Sequence, residues 1–135
     1  MSPRIVVHSP AHAKAALAGA AALDKSVILL SAPGAGAAAG PRWFLALVAQ
    51  AARDCPAARY EAVLDCADEP GTALAALRAG CRRVIFSGGA EMAEKLSQIA
   101  AATGAAIEAG EGRVLDLLGA RDPESACRVF LGTDP

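Results

Sequence analysis

The sequence is poor in aromatic residues and in histidine. Aromatic side chains make up 4% of its 135 residues, and only two histidines are present. Because hydrophobic residues still reach 54%, the core must be built mainly from alanine, valine, leucine and isoleucine. These small and aliphatic side chains suit close packing of helices on a sheet. The length predicts a single domain over residues 1–135, and the alternation described below makes it a domain of repeated βα units.

The sequence also lacks an excess of charge of either sign. Its formal net charge is -1, and its lysine and arginine residues form no cluster, so nucleic acid is not an expected partner. The longest alanine-rich tract, residues 11–23, is too short and too weakly apolar for a membrane span of about 20 residues. We therefore expect no membrane partner either.

Paired cysteine motifs are absent as well. The four cysteines, Cys55, Cys66, Cys81 and Cys127, show no C-x-x-C spacing. A strand-like run, not a signal peptide, opens the sequence. Together these features predict free thiols in a reducing cytoplasm, each of them a small buried hydrophobe in the simplest interpretation.

What the sequence does contain is a regular alternation of strand-like and helix-like segments. Apolar runs at residues 4–8, 27–30, 60–64, 83–86 and 105–108 predict strands. Helices are predicted at residues 11–23, 43–53, 70–79, 90–102 and from about residue 123 to 132. Four of these helices carry proline at or near the first turn: Pro10, Pro41, Pro70 and Pro123. Residues 114–118 fit a strand or a helix equally well.

The predicted strands are continuously apolar, so both faces of the sheet must be covered. This pattern predicts an α/β fold of repeated βα units around a parallel sheet of four to five strands. Two arrangements satisfy it: a half-TIM-barrel-like sheet, or an open, flavodoxin-like sheet.

Polar side chains lie at the C-terminal ends of the predicted strands, where sites form in parallel α/β proteins. These residues are His8, Ser31, Asp65, Ser87 and Glu108. Asp65 is a candidate proton-transfer residue, or else a carboxylate that accepts hydrogen bonds from nearby backbone N–H groups. His8 is a candidate metal ligand or base, or else a histidine bonded to a loop carbonyl.

The turn Ser87-Gly88-Gly89 leads directly into a predicted helix. Glycines expose backbone N–H groups and the helix dipole favours an anion, so this turn is a candidate phosphate-binding loop; a plain βα turn is the alternative. With Ser31 and Glu108 it makes up the predicted ligand-binding set, and a small anionic metabolite is the expected partner. No lysine follows a predicted strand, which disfavours Schiff-base chemistry.

Several stretches between Ile5 and Gly112 resemble sequence motifs of one protein family, and they occur in the same order. They include Ser26-Val27-Ile28-Leu29-Leu30, Val63-Leu64-Asp65-Cys66, Ala79-Gly80-Cys81-Arg82-Arg83-Val84-Ile85 and Ile107-Glu108-Ala109-Gly110-Glu111-Gly112. They resemble Pro-Val-Ile-Leu-Gln, His-Leu-Asp-His, Ala-Gly-Phe-Thr-Ser-Val-Met and Val-Glu-Ala-Glu-Leu-Gly of the class II fructose-bisphosphate aldolases, the last one residue out of register. The resemblance covers most of the chain and implies the first half of a metal-dependent TIM-barrel enzyme.

The resemblance implies roles for two neighbouring residues. The aspartate that moves a proton in the family corresponds to Asp65, and the histidine that binds the metal corresponds to Cys66. A cysteine thiolate can bind zinc, although its charge and softness differ from those of a histidine ligand. The alternative interpretation of Cys66 is a buried thiol that binds no metal. The family's other metal-binding histidines and its phosphate loops lie in a second half that this sequence does not contain. The cofactor expectation is therefore zinc, with His8 and Cys66 as ligands, or none.

We therefore expect an aldolase-like half-barrel that binds a small anionic or phosphorylated metabolite without family-type aldol cleavage. A divergent metal-dependent lyase acting as an oligomer and a non-catalytic interaction module are the two alternatives. Because a half-barrel leaves two sheet edges unpaired, a homodimer is the expected assembly.

Overall fold

A computed structural model describes residues 2–110 and 112–133 of the chain. The strands are β1 (Arg4–Val6), β2 (Ser26–Leu30), β3 (Arg59–Asp65), β4 (Arg83–Ile85), β5 (Ala106–Glu108) and β6 (Val114–Asp116). The helices are α1 (Pro10–Ala22), α2 (Ala35–Ala38), α3 (Pro41–Asp54), α4 (Pro70–Ala79), α5 (Ala90–Ala102) and α6 (Pro123–Gly132). None of the described helices is both long enough and apolar enough to cross a membrane. Glu111, which belongs to the stretch of residues 107–112 that carries the family resemblance, lies outside the described residues.

The strands form a sheet with the order β5-β4-β3-β2-β1-β6. The predicted α/β architecture of βα units on a parallel sheet is confirmed, and it is compatible with both the half-barrel-like and the flavodoxin-like arrangement. The structure adds a sixth strand to the predicted four or five, because the ambiguous stretch after Arg113 forms β6 beside β1.

Contacts divide the chain into two compact units. The first unit comprises Met1–Leu30, Ala46–Glu61 and Gly112–Pro135, and the second unit comprises Ser31–Leu45 and Ala62–Glu111. The boundary passes through α3 and β3. The expectation of a single domain stays a prediction.

In the first unit, β1 lies between β2 and β6 and runs parallel to both. Ile5 is fully buried at the centre of β1, opposite Leu29 of β2. Helix α1 packs on α6 at Gly19, where an added Cβ would lie 3.3 Å from the Cβ of Cys127. Glycine at this position therefore allows the two helices to approach closely.

In the second unit, β4 lies between β3 and β5, and both pairings are parallel. Val63, Leu64 and Val84 are fully buried, and Phe86 is 5% exposed just after β4. The ring of Phe86 folds against Gly88, where any Cβ would overlap the aromatic carbons. Gly88 is therefore glycine because of this ring contact.

One predicted helix face was only partly right. The spacing of Met92, Leu96 and Ile99 predicts that these three residues form the buried face of α5, but Met92 and Ile99 are 38% and 43% exposed. Leu96 and Ala100 are the buried residues of α5 instead. Alanine occupies one of the two buried positions, so a pattern based on large apolar residues identifies only Leu96.

Candidate functional site

Asp65 ends β3 and holds two loop segments through one carboxylate oxygen. Its Oδ1 accepts hydrogen bonds from the backbone N–H of Ala67 at 2.8 Å and of Gly34 at 3.3 Å. Ala67 has a φ of 50°, an unusual value for a residue with a side chain. The carboxylate thus stabilises a tight turn, which is the hydrogen-bonding alternative to the predicted catalytic role.

Ser31 supports Asp65 from the preceding loop. Its Oγ accepts a hydrogen bond from the backbone N–H of Asp65 at 2.9 Å and donates one to the Ala32 carbonyl at 3.1 Å. Ser31 is only 1% exposed, and its single hydroxyl proton is already donated. The structure therefore brings Ser31 and Asp65 together, with the serine positioning the strand end.

Cys66 follows Asp65 directly and is completely buried. Gly36 covers it, because a Cβ at that glycine would lie 2.9 Å from the Cys66 Sγ. Burial, followed by the neighbouring Cys81 and Asp65, raises the pKa of the Cys66 thiol to about 12. A zinc ligand must be a thiolate, so a metal here would first have to displace this proton.

The predicted anion loop lies at the start of α5. Ser87 is exposed, and its backbone N–H donates to the Ala67 carbonyl at 2.7 Å, which joins this loop to the Asp65 turn. Gly89 is the N-cap residue of α5, and no side chain accepts a hydrogen bond from that end of the helix. A Cβ at Gly89 would meet nothing within 4 Å, so the space beside it is open.

Glu108, the remaining predicted ligand-binding residue, forms an ion pair inside the sheet. Its two oxygens lie 2.8 and 3.2 Å from Nε and Nη2 of Arg83. The two side chains are 20% and 22% exposed, respectively. A bidentate pair of this kind fixes the carboxylate to β4. A ligand at Glu108 would have to compete with that arginine.

The first unit contains a separate polar cluster that joins both histidines of the chain. Nε2 of His8 lies 2.7 Å from Oδ1 of Asp116, at the ends of neighbouring strands β1 and β6. The backbone N–H of His8 donates to Nδ1 of His12 at 3.1 Å, so that nitrogen carries no proton. The two rings are edge to face, with centroids 5.8 Å apart.

The cluster shifts two pKa values. Burial, followed by the charge of His8, lowers the pKa of His12, with Asp116 acting in the opposite direction. Burial opposes ionisation of Asp116, but the hydrogen bonds from Leu118 and His8 and the charges of both histidines outweigh it and lower its pKa. An ionised carboxylate beside a neutral His12 is therefore the arrangement favoured near neutral pH.

Asp116 was missed at the sequence level because its strand was ambiguous. The signal was nevertheless present, since Val114-Leu115-Asp116 repeats Val63-Leu64-Asp65. Both aspartates end a strand, and Oδ1 of Asp116 accepts from the backbone N–H of Leu118 at 2.9 Å, as Asp65 does from Ala67. The repeated tripeptide thus marks a repeated turn.

The predicted site residues fall into two groups. His8 belongs to the first unit, whereas Ser31, Asp65, Cys66, Ser87, Gly88, Gly89 and Glu108 belong to the second. Among residues 2–110 and 112–133, no three or more His, Cys, Asp or Glu side chains are grouped so that they could hold a metal ion. The catalytic, metal-binding and ligand-binding roles stay predictions.

No family profile matches the sequence, and no curated protein matches it. A crystal structure from Coccidioides immitis, provisionally assigned as a fructose-1,6-bisphosphate aldolase, has a similar fold, with a TM-score of 0.64 and 21% sequence identity. The match covers 98% of this chain and 53% of that one, so this chain spans about half of its length. The likeness shows the fold and is consistent with the predicted aldolase-like half, while membership of class II stays a prediction.

The His12 environment predicts a pH-dependent stability. Because the pKa of His12 is lowered in the folded state, the unfolded chain binds the proton more readily, and stability falls as the pH drops below 6.5. His12→Asn retains an acceptor for the His8 N–H but cannot be protonated. Urea unfolding at about pH 7.5 and about pH 5.5 should therefore show a smaller decrease for the variant. Equal decreases in both proteins would contradict this assignment.

Proposed function

We propose that the second unit binds a small anionic or phosphorylated metabolite at Ser87, Gly88 and Gly89, without family-type aldol cleavage. The observation that carries this proposal is the open, uncapped start of α5. The first N–H groups of a helix have no partner within the helix, and a ligand oxygen is one way to satisfy them.

The contrast with two helices of the first unit supports this proposal. Ser9 accepts a hydrogen bond at the start of α1, and Asp122 does so at the start of α6. Gly89 offers no side chain, and the exposed Ser87 supplies a hydroxyl beside it. The acidic residue in the first turn, Glu91, lies 3.9 Å from Lys95 one turn further along, so its charge is partly compensated there.

The surroundings of Asp65 and Cys66 support binding over aldol cleavage. Asp65 accepts two backbone hydrogen bonds through Oδ1, and the Cys66 thiol is buried and protonated. Asp65 thus holds a turn and Cys66 fills the core, at the two positions where the family resemblance implies proton transfer and metal binding. Stoichiometric zinc in the purified protein that is lost in Cys66→Ala would favour the metal-dependent lyase instead.

The proposal includes a homodimer. In the first unit, Val114 of β6, the last strand in the sheet order, is 46% exposed. Leu118, two residues after this strand, is 71% exposed, and Val129 of α6 is 68% exposed. An apolar edge strand is a surface that a second copy covers well. Sedimentation should show a dimer, and a single monomeric species would contradict this part of the proposal.

Gly89→Asp tests the anion site, because it should increase the stability of the protein while it weakens phosphate binding. The aspartate would cap the free N–H groups of α5, and the backbone at φ -63° and ψ 153° accepts any residue. We expect the variant to be more stable by roughly 0.5–1 kcal/mol, and to lose binding of inorganic phosphate, which the new carboxylate replaces. Thermal unfolding and phosphate titration by NMR measure the two effects.

Gln98→Glu is the matched control, because it adds the same charge on the exposed surface of α5 away from its start. It should leave phosphate binding unchanged. Equal phosphate binding by wild type, Gly89→Asp and Gln98→Glu would rule out the start of α5 as the site.

A further inference from the structure

A cavity in the second unit lies between the start of α3 and one face of α4. Its volume is about 500 Å³. Gly71, Ala75 and Ala79 follow each other at intervals of four residues along α4, so they lie on one helix face and form a floor of small residues. Leu74 adds an apolar wall. Ser87, Gly88 and Gly89 are not part of its lining.

Two guanidinium groups line this cavity. Arg42 comes from α3 and Arg78 from α4, and both are exposed. Within the described part of the chain, neither forms a hydrogen bond or an ion pair, and no acidic side chain lines the cavity. Arg42 lies in the first turn of α3, which contains no acidic residue, and a cation near a helix start is electrostatically unfavourable. An anion would relieve this repulsion.

A cavity in the first unit shows the opposite situation. Lys25, Arg59 and Arg113 line it, but each is bonded within the protein. Lys25 donates to the Leu131 carbonyl at 2.6 Å, and Arg113 donates to the Phe130 carbonyl at 2.7 Å. Arg59 pairs with Asp24 at 2.9 Å. Those cations stabilise the fold, whereas Arg42 and Arg78 have their donors available.

We propose that the Arg42–Arg78 cavity binds a small organic acid through phosphate or carboxylate oxygens. Guanidinium groups bind both kinds of oxyanion in a bidentate manner, and the carbon skeleton of such a ligand would lie over Leu74 and Ala75. The cavity has the size of known small-molecule sites, about 300–1,000 Å³. This site goes beyond the function proposed for the start of α5 and does not depend on it.

The test is an NMR titration of the isotopically labelled full chain with pyrophosphate and, separately, with citrate. We expect saturable shifts of the backbone amides of α4 and Gly40, with a Kd of about 1 mM or tighter. Arg42→Gln and Arg78→Gln should each weaken binding about tenfold. Tighter binding of pyrophosphate assigns a phosphate ligand, and tighter binding of citrate assigns a carboxylate ligand.

Two further variants separate a defined site from general surface charge. Arg53→Gln removes an exposed arginine at the other end of α3 and should leave the Kd unchanged. Ala75→Phe fills the cavity without changing the charge and should abolish binding. Equal weakening by Arg53→Gln, full binding by Ala75→Phe, or no saturable shift in α4 would each overturn the proposal. Shifts confined to residues 87–90 would overturn it while leaving the site at α5 intact.

Discussion

Two strands of this protein end at an aspartate whose carboxylate oxygen accepts a hydrogen bond from the backbone N–H two residues later. Asp65 does so at the end of β3 and Asp116 at the end of β6. The same oxygen of each aspartate binds a second donor from a segment that follows an earlier strand. For Asp65 this donor is the backbone N–H of Gly34, and for Asp116 it is Nε2 of His8. Because an unsatisfied polar group in such a turn costs about 1–3 kcal/mol, the loop geometry depends on these aspartates.

This constraint involves only one oxygen of Asp65. Oδ1 already accepts two backbone hydrogen bonds, and Cys66, the next residue, is buried with a raised pKa. Among the described residues of the second unit, donors without a side-chain partner occur at the start of α5 and in the cavity of Arg42 and Arg78. These are the two places at which we propose that an anion binds.

Most of the fold could be predicted from the sequence, because apolar runs and helix-starting prolines repeat along it. The bounds of α4 and α5 agree with the prediction to the residue. Strand β6 could not be decided, since three residues carry no clear period, although the repeated Val-Leu-Asp pointed to it. The buried face of α5 was only partly predicted, because Leu96 is buried as expected but alanine, at Ala100, occupies the other packed position.

The candidate site was less predictable than the fold. The strand ends identified Asp65, Ser31 and His8 as polar positions, but not their partners. His8 meets Asp116, which lies 108 residues away in sequence, and Glu108 meets Arg83 across two strands. Such pairings depend on strand order and register, which a single sequence does not encode in any local pattern.

The most direct test compares the free energy of unfolding of Asp65→Ala and Asp65→Asn with that of the wild type. If the carboxylate holds the loops, Asp65→Ala should lose about 1–3 kcal/mol, while Asp65→Asn, which keeps the Oδ1 acceptor, should lose clearly less. A residue maintained for proton transfer or metal binding commonly lowers stability, so its removal is neutral or stabilising. Unchanged or increased stability in both variants would contradict a structural role for Asp65.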